Sequence, residues 1–160
     1  MNRPLWASLL VALWLGAALL TIAVVAPGAF AVLPTRALAG EMVGYVLPVV
    51  FYGAIAVPAL ALVVDPGARR SGISLFASAC SSMAAIVALA VVNPRIAALR
   101  VAAAMPIDQL SPEDPRRTMF GLLHAVSVAL LGAAMIALAV LLVSRARATV
   151  RAVHPTGEAP

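Results

Sequence analysis

The chain has 160 residues, of which 64% are hydrophobic and 11% charged, and its mean hydropathy is +1.07. Soluble domains carry charge on about a quarter of their residues, so this composition excludes an ordinary water-soluble globule and calls for lipid as the solvent. The net charge of +5 comes wholly from arginine; the arginines stand at the ends of apolar runs rather than among aromatic residues on one face, which argues against nucleic acid as a partner and for the bilayer. The absence of lysine beside abundant alanine suggests GC-rich coding, and hence a bacterial inner membrane.

In chain order, four apolar runs are long enough to cross a membrane: Leu5 to Ala26, Met42 to Val64, Ile73 to Val92 and Met119 to Val143. Crossing about 30 Å of hydrocarbon at about 1.5 Å per residue takes roughly 20 residues. None of the runs contains Asp, Glu, Lys or Arg; one such residue at mid-membrane costs about 2.5 to 3.5 kcal/mol on the insertion scale. The sequence therefore predicts an all-α, integral membrane bundle of four transmembrane helices over residues 1–144, followed by a basic tail over 145–160. Arg3 and the first run, with Ala37-Leu38-Ala39-Gly40 downstream, imitate a secretory signal. The run exceeds the about 7 to 15 residues of a signal core, and the Ala-x-Ala lies past its end, so it reads as a retained span.

Punctuation between the runs predicts helix ends. Pro27-Gly28 and Pro34 follow the first, Asp65-Pro66-Gly67 the second and Asn93-Pro94 the third. Ile96 to Met105 reads as a short separate helix at the interface, and Pro106 to Pro115 as an exposed loop. The tail begins as a basic helix extension and is expected to be disordered by Pro155-Thr156-Gly157. Four spans put Arg3, Arg69, Arg70, Arg145, Arg147 and Arg151 on one side, against Arg36, Arg95, Arg100, Arg116 and Arg117 on the other. The positive-inside rule then places both termini in the cytoplasm.

In lipid, apolar side chains gain nothing from avoiding water, so close packing through small residues and interhelical hydrogen bonds must hold the bundle. Candidate packing positions are Gly16, the pair Gly40 and Gly44, the serines Ser74, Ser78 and Ser82, and a stripe of Gly121, Ala125, Ala129 and Ala133 that continues to Ala137. Pro48 and Pro58 in the second span predict kinks that fit neighbours.

Several landmarks resemble the transmembrane protein 205-like family, whose bacterial members are described as domain of unknown function 4149. They are Trp14-Leu15-Gly16, Ala26-Pro27 with Phe30, Leu33-Pro34, Ala39-Gly40, Asn93-Pro94-Arg95, and Phe120 with Leu123-His124 and Ser127. The resemblance spans Trp14 to Ala139. It implies a four-helix membrane protein without an established activity; the eukaryotic namesake is associated with resistance to platinum drugs and with membrane trafficking. The short third loop and the extra tail of this chain depart from that protein, and its partners are not carried over.

No phosphate loop, His-Glu-x-x-His, Gly-x-Ser-x-Gly or Cys-x-x-Cys motif occurs. The spans hold no paired carboxylates, so no enzyme activity and no cofactor is expected. His154 lies on the opposite side from His124, which argues against a bis-histidine haem. Cys80 has no partner for a disulfide and reads as a packing residue. Polar residues gather topologically at the membrane face opposite the termini: Glu41, Tyr45, Asn93, Arg95, His124 and Ser127, with Arg116 and Arg117 beside them. They form either a small polar pocket for an anion, metal ion or proton, or a structural set in which His124 bonds to Tyr45, Ser127 or a carbonyl while Glu41 pairs with Arg95. The leading expectation is a non-enzymatic membrane scaffold or accessory subunit, homo-oligomeric or bound to other membrane proteins. The alternative is a carrier for a small solute or metal ion, in outline like the four-helix copper-resistance proteins, drawing on His124, Met42, Met119 and Cys80. Those groups are dispersed rather than clustered.

Overall fold

The computed structural model describes residues 3–103 and 105–153. Four helices are long and apolar enough to cross a membrane: α1 (Arg3–Val32), α2 (Arg36–Val64), α3 (Gly72–Ala102) and α4 (Pro115–Val153), whose apolar part ends at Arg147. No strand occurs among the described residues. Helix starts are capped as their sequences require: the Thr35 hydroxyl accepts from the Leu38 N–H at 3.2 Å, and the Ser71 hydroxyl from the Ser74 N–H at 3.3 Å. Asp114 caps α4 by accepting from the Arg116 N–H at 2.8 Å. The expected disordered end, Pro155-Thr156-Gly157, lies outside the described residues.

Two of the expected helix ends are absent. The chain stays helical through Pro27 to Val32, and through Pro94 to Ala102, so the predicted interfacial helix is the continuation of the third span. The reason is a π-helical turn directly before each proline, Thr21–Val25 and Ala88–Val92. A proline lacks the N–H for the usual bond, and its ring crowds the preceding turn. Widening that turn shifts the bonding by one residue, so that the Ala26 N–H reaches the Thr21 carbonyl and the Asn93 N–H that of Ala88. The chain does break at Leu33, whose ψ of 144° is extended, as the residue before Pro34 favours.

The two π turns reveal a repeat. Positions 67 residues apart, Thr21 and Ala88, open them, and the same displacement carries the buried Ala7, Val11, Trp14 and Ala18 of α1 onto the buried Ser74, Ser78, Ser81 and Ala85 of α3. A displacement of 80 residues, that between Asp65 and Arg145, relates α2 to α4. It places Phe51, Ala54, Pro58 and Ala61 over Leu131, Ala134, Leu138 and Leu141, all buried. α1 packs on α2 and α3 on α4, and the pairs join through α2 with α3 and α1 with α4. Two helical hairpins built to one plan thus sit side by side, as parallel internal repeats do in several membrane-protein folds.

The bundle is small inside and large outside. Alanine dominates the core cluster, with Phe51, Leu131, Leu138 and Leu141 as the largest buried side chains, while Leu13, Val32, Phe76 and Ile136 face outward. Lipid solvates the large apolar groups, and small residues let the helix backbones approach.

Polar groups lock the middle. Pro58 cannot donate to the carbonyl of Ala54, which is left without its helical partner; the Ser81 hydroxyl of α3 donates to that oxygen at 3.0 Å. One turn earlier, the Trp14 indole N–H of α1 donates to the Val50 carbonyl at 3.0 Å. Trp14 and Ser81 occupy equivalent places in the two hairpins, so both repeats fasten onto α2. We expect Ser81→Ala to lower stability in detergent by about 1 kcal/mol. In a Pro58→Ala background the residue 58 N–H satisfies Ala54 again and the same change should cost less. A double-mutant cycle on thermal unfolding measures the coupling; additive losses would show that Ser81 does not serve the freed carbonyl.

Candidate functional site

The polar residues expected to converge at the end opposite the termini do not form a pocket. Glu41, Tyr45, Arg95 and His124 are exposed, Asn93 is half-buried, and Ser127 is fully buried in the bundle. Among the described residues no hydrogen bond reaches the His124 imidazole and no ion pair joins Glu41 to Arg95; the Ser127 hydroxyl, like that of Ser78, has no protein partner. The reason is position along the helix. His124 and Ser127 are three apart and share one side of α4 with Leu131 and Ala134, but no residue of the helix before Ser127 is buried, so His124 lies beyond the packed part of the bundle.

Rotation about the helix axes decides the fate of the packing candidates. Ser74 and Ser78 are buried and Ser82 is half-buried, whereas Gly16 and Gly121 have open space where a side chain would stand, and Ala125, Ala129 and Ala133 are exposed. The small stripe of α4 therefore lies on its outward face.

What the fold does assemble there is centred on Arg100, a residue the sequence reading left among the flanking charges. Its guanidinium donates from Nη2 to the Gly40 carbonyl at 3.2 Å. A Cβ added at Gly40 or Gly44 would stand 3.5 or 3.2 Å from its terminal nitrogens, so the Gly40-x-x-x-Gly44 spacing receives an arginine rather than another helix. The guanidinium carbon lies 5.5 Å from the Phe120 ring centroid, within cation–π range. Phe120 in turn stacks on His124, with centroids 6.5 Å apart and planes at 4°. Three elements, α2, α3 and α4, are thus joined through one side chain. The sequence signal was present in the paired glycines and in the four-residue spacing of Phe120 and His124, which puts both rings on one side of α4.

The neighbouring arginines are structural. Arg116 pairs with Asp114 at 2.7 Å and donates to the Ala102 carbonyl, and Arg117 donates to that of Leu110, so together they pin the α3–α4 connection. Hydrogen bonds from the Arg116 side chain and backbone hold the half-buried Asp114 carboxyl below its usual range. At the opposite end Arg145, only 7% exposed, pairs with Asp65 at 3.4 Å. No group of three or more His, Cys, Asp or Glu side chains suited to a metal ion occurs among the described residues. Cys80 lines an open groove between α3 and α4 with Phe76 and Ile136, while Met42 and Met119 are exposed; the groups a soft-metal path would need are not brought together.

Four long apolar helices, an interior of small side chains and charged groups confined to the ends define a multi-pass α-helical membrane protein. The sequence model of the DUF4149 family, a domain of unknown function, matches residues 9–105. That is more than half of the chain, and the protein belongs to this family. The matched region takes in most of α1 and all of α2 and α3, with Trp14, Gly40, Gly44, Gly53, Ser81 and Arg100, while Phe120 and His124 lie beyond it. No curated protein and no solved structure matches the chain.

Proposed function

We propose that the protein is a non-enzymatic scaffold or accessory subunit of the bacterial inner membrane, with both termini in the cytoplasm, and that it is one of the transmembrane protein 205-like proteins. The observation that carries this reading is the use made of polar groups at mid-bundle. Trp14 and Ser81 spend their donors on backbone carbonyls of α2, and Phe51, Leu131 and Leu138 fill the space between the helices. Such bonds fix helices to one another and leave the outer surface as the place where other molecules meet the protein. The arginines of the tail and second loop support the orientation through the positive-inside rule.

Affinity purification from native membranes should bring down another membrane protein, or a second copy, in constant ratio to the chain, and metal analysis of the purified chain should find no stoichiometric ion. Stoichiometric metal, or solute flux into proteoliposomes that is lost in His124→Asn, would replace this reading with that of a carrier.

A further inference from the structure

The Arg100 cluster lies at the depth of lipid phosphates. From Gly72 at the start of α3 to Arg100 the helix rises about 42 Å at about 1.5 Å per residue, past about 30 Å of hydrocarbon and into the headgroup layer. There the guanidinium is exposed yet held in place, by the Gly40 carbonyl, the surfaces of Gly40 and Gly44 and the Phe120 ring. It has no carboxylate partner among the described residues, although Glu41 adjoins Gly40 in sequence. A guanidinium carries five N–H donors in a planar fork, and the structure accounts for one of them, the bond to Gly40. Arg36, one helical turn before Gly40, adds a second positive charge at the same end of α2. A fixed, unneutralised fork at this depth matches one chemistry, the paired oxygens of a phosphate.

We propose that Arg100, cradled by Gly40 and Gly44 and backed by the Phe120–His124 stack, binds the phosphate group of a phospholipid, and that with Arg36 nearby it favours an anionic lipid, whose headgroup has no ammonium to repel the two cations. Val101, next to Arg100 in sequence, and Met119, next to Phe120, are exposed apolar residues at the same end of the bundle. This assignment is independent of the scaffold reading, since lipid capture needs no second protein.

The test is lipid retention by the full chain extracted from vesicles of mixed phosphatidylglycerol and phosphatidylcholine, read by native mass spectrometry. The wild type should retain the anionic lipid over the zwitterionic one by about fivefold, the factor that corresponds to about 1 kcal/mol for one interfacial arginine. Arg100→Gln should abolish the preference. Arg100→Lys keeps the charge but not the fork and should keep only part of it, and Gly44→Ala should weaken it by pressing on the terminal nitrogen 3.2 Å away. Thermal stability, measured alongside, shows that each variant is folded. Addition of inorganic phosphate separates the two sources: displacement of phosphatidylglycerol assigns the site to free phosphate, and its persistence assigns it to the lipid headgroup. Equal retention of the two lipids by the wild type, or an unchanged preference in folded Arg100→Gln or Arg100→Lys protein, would overturn the proposal.

Discussion

Gly53→Ala should destabilise the protein by about 1 to 3 kcal/mol, the cost of overpacking a filled interior. A Cβ at residue 53 would stand 2.6 Å from both Cδ1 and Nε1 of Trp14, closer than two such atoms approach. The indole cannot swing away cheaply, because Trp14 is buried and its N–H is committed to the Val50 carbonyl. Relief therefore requires α1 and α2 to separate, which would also weaken the Trp14 hydrogen bond. Thermal inactivation followed by size-exclusion chromatography in detergent measures the loss. The control is Trp14→Leu, which destabilises by itself but removes the ring: in that background Gly53→Ala should cost almost nothing. Equal costs in both backgrounds would mean that the indole is not what residue 53 must avoid.

The second large effect is expected at the other end of the bundle. Asp65→Ala should cost about 3 kcal/mol, at the lower end of the range for breaking a buried ion pair because the contact is a long one. The Arg145 side chain is 5% exposed and that of Asp65 17%, at 3.4 Å, so loss of the carboxylate leaves a cation in a site with little water. Replacing both residues by leucine should be less damaging than Asp65→Ala alone, since the desolvation cost of the charge disappears with it. Thermal midpoints of the two variants decide the matter. If the double replacement were the worse of the two, the pair itself would be a net source of stability rather than a matched set of buried charges.

The four spans were legible because an uninterrupted apolar run has few other uses, and the lengths alone satisfied the bilayer. The continuity of α1 and α3 was not, because Pro27-Gly28 and Asn93-Pro94 carry the local signature of a helix end and only a π turn overrides it. That turn has no composition of its own. A clue lay in comparing the two ends: Ala23-Val24-Val25 before Ala26-Pro27 recurs as Ala90-Val91-Val92 before Asn93-Pro94, and the repeat would have aligned the inner faces of α1 and α3. The inner face of α4 was harder to read. With apolar residues all round, periodicity cannot separate a lipid-facing side from a buried one, and the alanine stripe drew attention to the outward side while Ser127, Leu131 and Leu138 turned in. Arg100 was missed for a related reason. One arginine among several at a membrane boundary carries no local mark, and what distinguishes it is the pair of glycines 60 and 56 residues earlier, Gly40 and Gly44, against which it lies.

The repeat gives the Asp65–Arg145 pair a meaning beyond stability. The two residues hold the same place in their respective hairpins, so two identical hairpins facing each other would set carboxylate against carboxylate or guanidinium against guanidinium. Opposite charges at one repeated position exist only because the halves have been allowed to differ, and covalent linkage is what guarantees that each bundle receives one of each. The pair therefore acts as a key between non-identical halves: it rewards assembly of the first hairpin with the second and penalises assembly of either with its own kind. A chain divided in the α2–α3 connection should accordingly rebuild its bundle from unlike fragments in preference to like ones.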